Sequence, residues 1–319
     1  MAKLWCMGEA LIDFVPVLAP DGGHAYAPRC GGSPFNAAKA AALSGAKVGF
    51  LGALSTDLFG EMLAAELARY GIDTRQAPRL TAPTTLAFVD LQAGEPRYAF
   101  FNEGTATRMI APDPAAFAPA PGDVVEFGSI SLIDLPGADR IAAFAETIAG
   151  RAMIAIDPNA RPGMTPALAV WRQRIARILA VADIVRLSVE DLAALAPDTT
   201  TAHFAANLIA QGAGLVVVTK GAEGAEAWTA HAHVTVPGFR VAVVDTVGAG
   251  DTLMGSLLAQ LALGGHTQSG ALGALSAEGL VAMLTHAVAA ASLNCMASGC
   301  APPTPEAVAA FLQARATTT

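Results

Sequence analysis

Val124-Val125-Glu126-Phe127, Met153-Ile154-Ala155-Ile156, Ile184-Val185-Arg186-Leu187 and Leu215-Val216-Val217-Val218-Thr219 are short apolar runs. Between them lie residues 141–149, 170–180 and 201–211, whose apolar positions recur with helical spacing. Continuous apolar strands alternating with such helices are the pattern of parallel β-α-β units, because the crossover helices cover both faces of the sheet. The stretch from Asp123 to Thr219 therefore sets the fold class. It is α/β, a doubly wound, mostly parallel sheet flanked by helices.

Working outward, the rhythm changes on the N-terminal side. Residues 3–8 and 48–51 read as buried strands, and 59–70 as a helix ending at Gly71. Residues 11–15 and 25–29 read as a hairpin around Asp21-Gly22-Gly23. Residues 84–91 and 97–101 read as a second hairpin around Gly94-Glu95-Pro96. Both ribbons alternate with period two, so each has one apolar face. That suits a small β-sheet standing apart as a lid, formed by about 11–30 and 84–102, or as a dimer contact. Edge additions to the main sheet are the alternative. Between the ribbons, Gly31-Gly32-Ser33-Pro34 opens an Ala-rich helix to Leu43, with Ser33 as the expected N-cap and Pro34 as its first helical residue. On the C-terminal side, 251–263, 277–293 and 305–314 read as closing helices, and 264–273 as the expected mobile loop. With no internal repeat and no low-complexity linker, the chain reads as one domain over 1–319.

The composition narrows the function classes. Of 319 residues, 53% are hydrophobic and 14% charged, with a net charge of −8. Such a chain buries a substantial core and is not mainly disordered. Its acidic balance argues against a nucleic-acid binder and against an anionic membrane surface. The lysines are few: Lys3, Lys39, Lys47 and Lys220. No run is long and apolar enough for a membrane span, and Glu9 and Asp13 interrupt any signal-peptide core. Cys6, Cys30, Cys295 and Cys300 form no C-x-x-C pair, which suits reduced thiols in a cytoplasmic protein. None of the six histidines pairs with them at zinc-ligand spacing.

The segment with the sharpest chemistry is Asp245-Thr246-Val247-Gly248-Ala249-Gly250-Asp251-Thr252. It follows an expected strand at 240–244 and opens a helix. Glycines let the backbone approach a ligand, and amides at a helix N-terminus form an anion hole. Asp251 beside that hole can accept a proton from a hydroxyl attacking a bound phosphoryl group. Alone, Asp251 reads first as an N-cap carboxylate after a glycine turn. Neither the dinucleotide G-x-G-x-x-G nor a Walker G-x-x-x-x-G-K-[ST] is present. A second glycine pair changes the balance. Gly31-Gly32-Ser33-Pro34-Phe35-Asn36 offers backbone amides and a carboxamide, the groups that grip sugar hydroxyls, and Asp13 can accept from two vicinal hydroxyls.

These residues resemble the PfkB (ribokinase-like) family of carbohydrate kinases across essentially the whole chain. One signature spans Gly31 to Gly60, with Asn36, Gly45, Gly52, Asp57 and Gly60 in register; the other is the Asp245 to Asp251 run. The resemblance implies ATP-dependent phosphorylation of a sugar hydroxyl, with Mg²⁺ accompanying ATP. It implies Asp251 as base, Gly248, Ala249 and Gly250 as the hole, and Asp13, Gly31, Gly32 and Asn36 toward the sugar, under a lid that also brings Phe101. A monovalent cation, usually K⁺, is implied near Asp245 and the Val247 carbonyl. Asp157-Pro158-Asn159-Ala160-Arg161 looks like the family's D-x-N-x-R segment, with Asn159 toward the sugar and Arg161 toward the transferring phosphate. Thr219-Lys220-Gly221-Ala222-Glu223-Gly224 looks like the nucleotide turn, and Asn294 ends an adenine-side helix.

The family's N-x-x-E segment appears as Ser188-Val189-Glu190-Asp191. Ser188 then falls to the nucleotide, and Glu190 or Asp191 to Mg²⁺ through water. Phe100-Phe101-Asn102-Glu103-Gly104-Thr105-Ala106 and Phe127-Gly128-Ser129-Ile130-Ser131-Leu132 look most like bacterial fructokinases. A 2-keto-3-deoxygluconate kinase stays open, with Arg97 or Arg108 as partner for a substrate carboxylate. So does a non-catalytic sugar- or nucleotide-binding module descended from such a kinase.

Overall fold

The computed structural model describes residues 2–90, 97–268 and 270–316. The chain runs β1 (Lys3–Met7), β2 (Leu11–Leu18), β3 (His24–Gly31), α1 (Ser33–Leu43), β4 (Lys47–Phe50), β5 (Leu54–Ser55), α2 (Leu58–Arg69), β6 (Arg79–Leu80), β7 (Thr85–Asp90) and β8 (Arg97–Phe101). Then follow β9 (Val124–Gly128), α3 (Gly137–Ile148), β10 (Met153–Asp157), α4 (Leu168–Leu179), β11 (Ile184–Ser188), α5 (Val189–Leu195), α6 (Thr201–Ala210) and β12 (Leu215–Thr219). The chain closes with β13 (Gly224–Trp228), β14 (His233–Pro237), α7 (Ala249–Leu263), α8 (Ala277–Asn294) and α9 (Pro305–Ala316).

The main sheet has 8 strands in the order β14-β13-β12-β11-β10-β9-β1-β4. From β4 to β12 every pair is parallel; β13 and β14 add an antiparallel edge. Side chains alternate between two cores. Along β12, Leu215 and Val217 join the layer that contains residues of α1, α2, α7 and α8, while Val216 and Val218 join the layer of α3, α4, α5 and α6. Helices on both faces explain why these strands are apolar throughout.

Both ribbons expected from the N-terminal third form, and they join into a separate sheet in the order β3-β2-β7-β8. Within each ribbon the strands are antiparallel; the seam between β2 and β7 is parallel. They are not edge additions to the main sheet. The Gly94-Glu95-Pro96 turn lies outside the described residues. Phe14 stacks on Phe88 with centroids 4.6 Å apart, Phe59 of α2 meets Phe14 edge-on, and Tyr26 and Phe101 meet Phe88 edge-on. Val17, Leu18, Tyr26 and Phe101 remain exposed.

Some expectations need correction. Residues 240–244 form no strand: the Val244 and Asp245 amides donate to the Cys295 carbonyl, at the end of α8, rather than to a neighbouring strand. Ser33 does not cap α1. Gly32 does, at φ +106°, with the Glu9 carbonyl 2.7 Å from where a Cβ would sit, so glycine is required there. That leaves the Ser33 hydroxyl free to point elsewhere. Among the described residues no helix is long and apolar enough to cross a membrane.

Candidate active site

The carboxyl ends of the parallel strands, where open α/β sheets take ligands, gather the sequence segments singled out above. Gly248, at φ +75°, is the N-cap of α7, and a Cβ there would lie 2.5 Å from Cys300 Sγ. Ala249 N turns back to the Thr246 carbonyl at 3.2 Å, and Thr252 N makes the first helical bond to Gly248. With Ala249 N engaged, an anion hole at this helix start would centre on the amides of Gly250 and Asp251, in the first turn.

Asp251 carries the two ends of the chain into one site. Its Oδ1 accepts from Ser33 Oγ at 2.6 Å and its Oδ2 from Asn36 Nδ2 at 2.9 Å. Burial raises its pKa above the usual carboxylate range, against the pull of those two hydrogen bonds and of the charges of Arg186 and Arg161. The buried Asn36 Oδ1 has no hydrogen-bond partner, so an acceptor beside the base is open to a ligand hydroxyl.

Around this pair sit the groups expected to face the sugar. Glu9, only 1% exposed, accepts from the amides of Ser33 and Ser131, both at 3.1 Å. It holds the Gly31-Gly32-Ser33 turn against the end of β9. The Asp13 carboxylate lies against Gly31. Its pKa is raised to about 7, first by burial and then by the nearby Asp251 and Glu9 carboxyls. Asn159 and Ser129 both adopt positive φ, +42° and +65°, and Asn159 Nδ2 donates to Ser129 Oγ at 3.2 Å. Non-glycine residues in this region cluster at functional sites. Phe101 stands on the small sheet, 60% exposed.

Toward the expected nucleotide, Arg186 Nη1 donates to Asp157 Oδ2 at 2.5 Å and Nη2 to Thr219 Oγ1 at 2.7 Å. Gly221 and Gly224, at φ +54° and +104°, shape the turn after β12. Lys220 is paired with Glu226 at 2.6 Å. Arg161 is exposed, with Nη1 on the carbonyl of Ala160. Asn294 is a different matter. It is fully buried: Nδ2 donates to the Val247 carbonyl, while Oδ1 accepts from Thr252 Oγ1 and the Ala301 amide. It braces the glycine loop from behind and cannot touch a nucleotide.

The metal expectations also change. Both Asp191 oxygens are engaged: Oδ1 accepts from the Ala160 amide at 2.6 Å, and Oδ2 from Ser188 N and Oγ at 2.8 Å. Ser188 and Asp191 form the capping box of α5, so the acid one methylene shorter than Glu serves the helix start. Glu190 remains exposed. The oxygens expected near K⁺ each accept one hydrogen bond. Asp245 accepts from the amides of Val247 and Gly299, and the Val247 carbonyl from Asn294. Among the described residues no group of three or more His, Cys, Asp or Glu could hold a metal. Arg108, a candidate for a substrate carboxylate, is occupied by Glu103 and Asp134, each at 2.8 Å; Arg97 lies where no side chain is described.

Two residues escaped the sequence reading, Glu9 as an organiser and Arg186 altogether. The missed signal was a charge inside an apolar strand: Ile184-Val185-Arg186-Leu187 is buried on both sides of the arginine, and such charges are rare without a purpose.

A carboxylate base beside an anion hole, with hydroxyl-gripping groups on its other side, defines a phosphotransferase that acts on an alcohol. The chain matches the model of the pfkB family carbohydrate kinases over residues 1–307 and belongs to that family. It is 42% identical over 259 residues to a fructokinase of Rhizobium leguminosarum bv. trifolii, covering 80% of this chain and 78% of that one. Among solved structures it resembles a fructokinase from Xylella fastidiosa with bound ATP, with a TM-score of 0.88 and 29% identity over 98% of this chain and 99% of that one. It also resembles a fructokinase from Vibrio cholerae O395 bound to fructose, ADP and calcium, with a TM-score of 0.83 and 25% identity over 98% and 99%.

Proposed function

We propose that the protein is an ATP-dependent fructokinase in which Asp251 takes the proton from a primary hydroxyl of the sugar. One observation carries this reading: the Asp251 carboxylate, in the first turn of a glycine-opened helix, is held by Ser33 and Asn36 of the sugar-side turn. The base thus lies where an acceptor hydroxyl meets a bound phosphoryl group. The hydroxyl oxygen attacks the γ-phosphorus, the bond to the bridging oxygen of ADP breaks, and the proton passes to Asp251. The amides of Gly250 and Asp251, with the exposed Arg161, meet the charge on the transferring oxygens. Asp13, Asn36 and Asn159 orient the sugar. Mg²⁺ carried with the triphosphate would neutralise phosphate charge, and Glu190 would hold it through water. The sheet β3-β2-β7-β8 closes over the sugar as a lid and excludes water.

The engagement of Arg108 by two acids argues for a neutral sugar over a keto-acid. A coupled ADP-release assay with fructose, 2-keto-3-deoxygluconate, ribose and adenosine tests the reading. Fructose is expected to give the highest kcat/KM by at least about tenfold; ADP release with none of them sinks it.

A further inference from the structure

Arg186 sits in β11, 7% exposed, between Ile184, Val185 and Leu187, which pack into the two cores. A lone pairing with Asp157 does not account for it. A guanidinium carries five N–H donors, and the Asp157 and Thr219 contacts use two of them. Its buried Nε has no hydrogen-bond partner. The group lies against the anion hole: a Cβ added at Gly250 would fall 2.8 Å from Nη1 and 3.0 Å from Nη2. The glycine that opens the hole thus also makes room for this arginine. Burial disfavours the charge, but Asp157, Asp191 and Asp251 around it outweigh that and keep it ionised. A buried, fixed cation with donors left over, facing amides that attract anions, is an incomplete cluster until an anion arrives.

We propose that Arg186 is a further cation of the phosphoryl-transfer site, which meets the transferring phosphate from the sheet side of the hole while the amides of Gly250 and Asp251 meet it from the helix side. Two features of the site follow. A lysine-poor chain handles a triphosphate because its fixed charge is buried under the hole rather than spread on the surface. And Arg186 ties β10, β11 and β12 to the start of α7, so the segments that carry sugar, nucleotide and base share one charged contact.

The inference rests on the hole being the phosphate site of the proposed kinase, and the test separates the two. Arg186→Met and Arg186→Lys are compared with the wild type in sugar-dependent ADP release and in calorimetric binding of ADP and of a non-hydrolysable ATP analogue. Arg186→Met is expected to lower kcat at least about thirtyfold, to leave the sugar KM within about threefold, and to weaken the ATP analogue at least about tenfold more than ADP. Arg186→Lys keeps the charge but loses the fork, and is expected to fold and to lose about tenfold in kcat. A cross-link between strands alone would lower the melting temperature of both variants but leave kcat and the ratio of ATP-analogue to ADP affinity within twofold of wild type, and that result overturns the proposal. If Arg186→Met does not fold, an unchanged kcat in Arg186→Lys overturns it equally. If the wild type turns over no sugar, the kinase reading fails, and the nucleotide affinities still decide the role of Arg186.

Discussion

The two sides of the site are built in opposite ways. On the main sheet, Asp251, Arg186 and Asp191 are each held at more than one atom: Asp251 by Ser33 and Asn36, Arg186 by Asp157 and Thr219, Asp191 by Ala160 and Ser188. On the small sheet, Phe14 stacks on Phe88, with Tyr26 and Phe101 edge-on to it, yet Val17, Leu18, Tyr26 and Phe101 stay exposed. Stabilising a phosphoryl group in flight requires dipoles and charges already in place. Admitting a sugar requires a wall that can open. The contrast ties rigidity to chemistry and exposure to access.

The comparison is most readily broken at Asp251. Asp251→Asn is expected to cut kcat by about two orders of magnitude or more while the sugar KM stays within about threefold; a near-normal kcat would remove the base from the rigid side. Asp13→Asn tests the other side. Loss of a charge-assisted acceptor for two hydroxyls is expected to lower kcat/KM for the sugar by about 10- to 100-fold, mainly through KM. The pH profile sharpens this. Asp13 must be ionised to accept both hydroxyls, and its pKa is raised to about 7, so its charged form is present above that pH and lost below it. Wild-type kcat/KM is expected to fall about tenfold per unit as pH drops below 7, and a flat profile from pH 8 to 6 would break the assignment.

Smaller effects bear on the rigid side's hidden cost. Glu126 is buried in β9 with only the weak thiol donor of Cys6 beside it, and burial first, then Asp157, Asp251 and Glu9, raises its pKa well above the ordinary value. The fold disfavours its charged form, whereas the unfolded chain releases the proton above about pH 4.5. Its cost to stability is therefore absent at low pH and grows as pH rises. Glu126→Gln is expected to add about 1 kcal/mol in denaturant melts at pH 8 and almost nothing at pH 4; equal gains at both would refute the charge explanation. The least effect is expected at Phe101→Ser, with the sugar KM raised about threefold and stability changed by less than about 0.5 kcal/mol. A stability loss of several kcal/mol would show the small sheet to be as tightly built as the large one.

What the sequence revealed follows from the kind of information each feature carries. Periodicity reports burial, so the parallel strands β9 to β12 and both ribbons were legible. Glycine pairs report backbone demand, so both helix openings were found. Hydrogen-bond direction has no periodicity. Ser33 looked like a cap because its neighbours are those of a cap, yet its hydroxyl serves Asp251. Asn294 matched a nucleotide-side helix in position but folds inward to Val247. Asp191 looked like a metal acid and became half of a capping box. Residues 240–244 had the apolar content of a strand but no strand beside them to pair with. Arg186 passes within an apolar run in the sequence, and only its neighbours in the fold give that charge a meaning.

The bonds from Ser33 and Asn36 to Asp251 span 218 and 215 residues of chain. No fragment that stops short of α7 contains the base, and none that starts after α1 contains its holders. During synthesis the first third of the protein therefore leaves the ribosome with its half of the site open, and waits for most of the rest. Contacts this distant in sequence are slow to form and late to close. Catalytic activity is then the final property the chain acquires on folding, and its recovery after refolding is a direct clock for the docking of the last third onto the first.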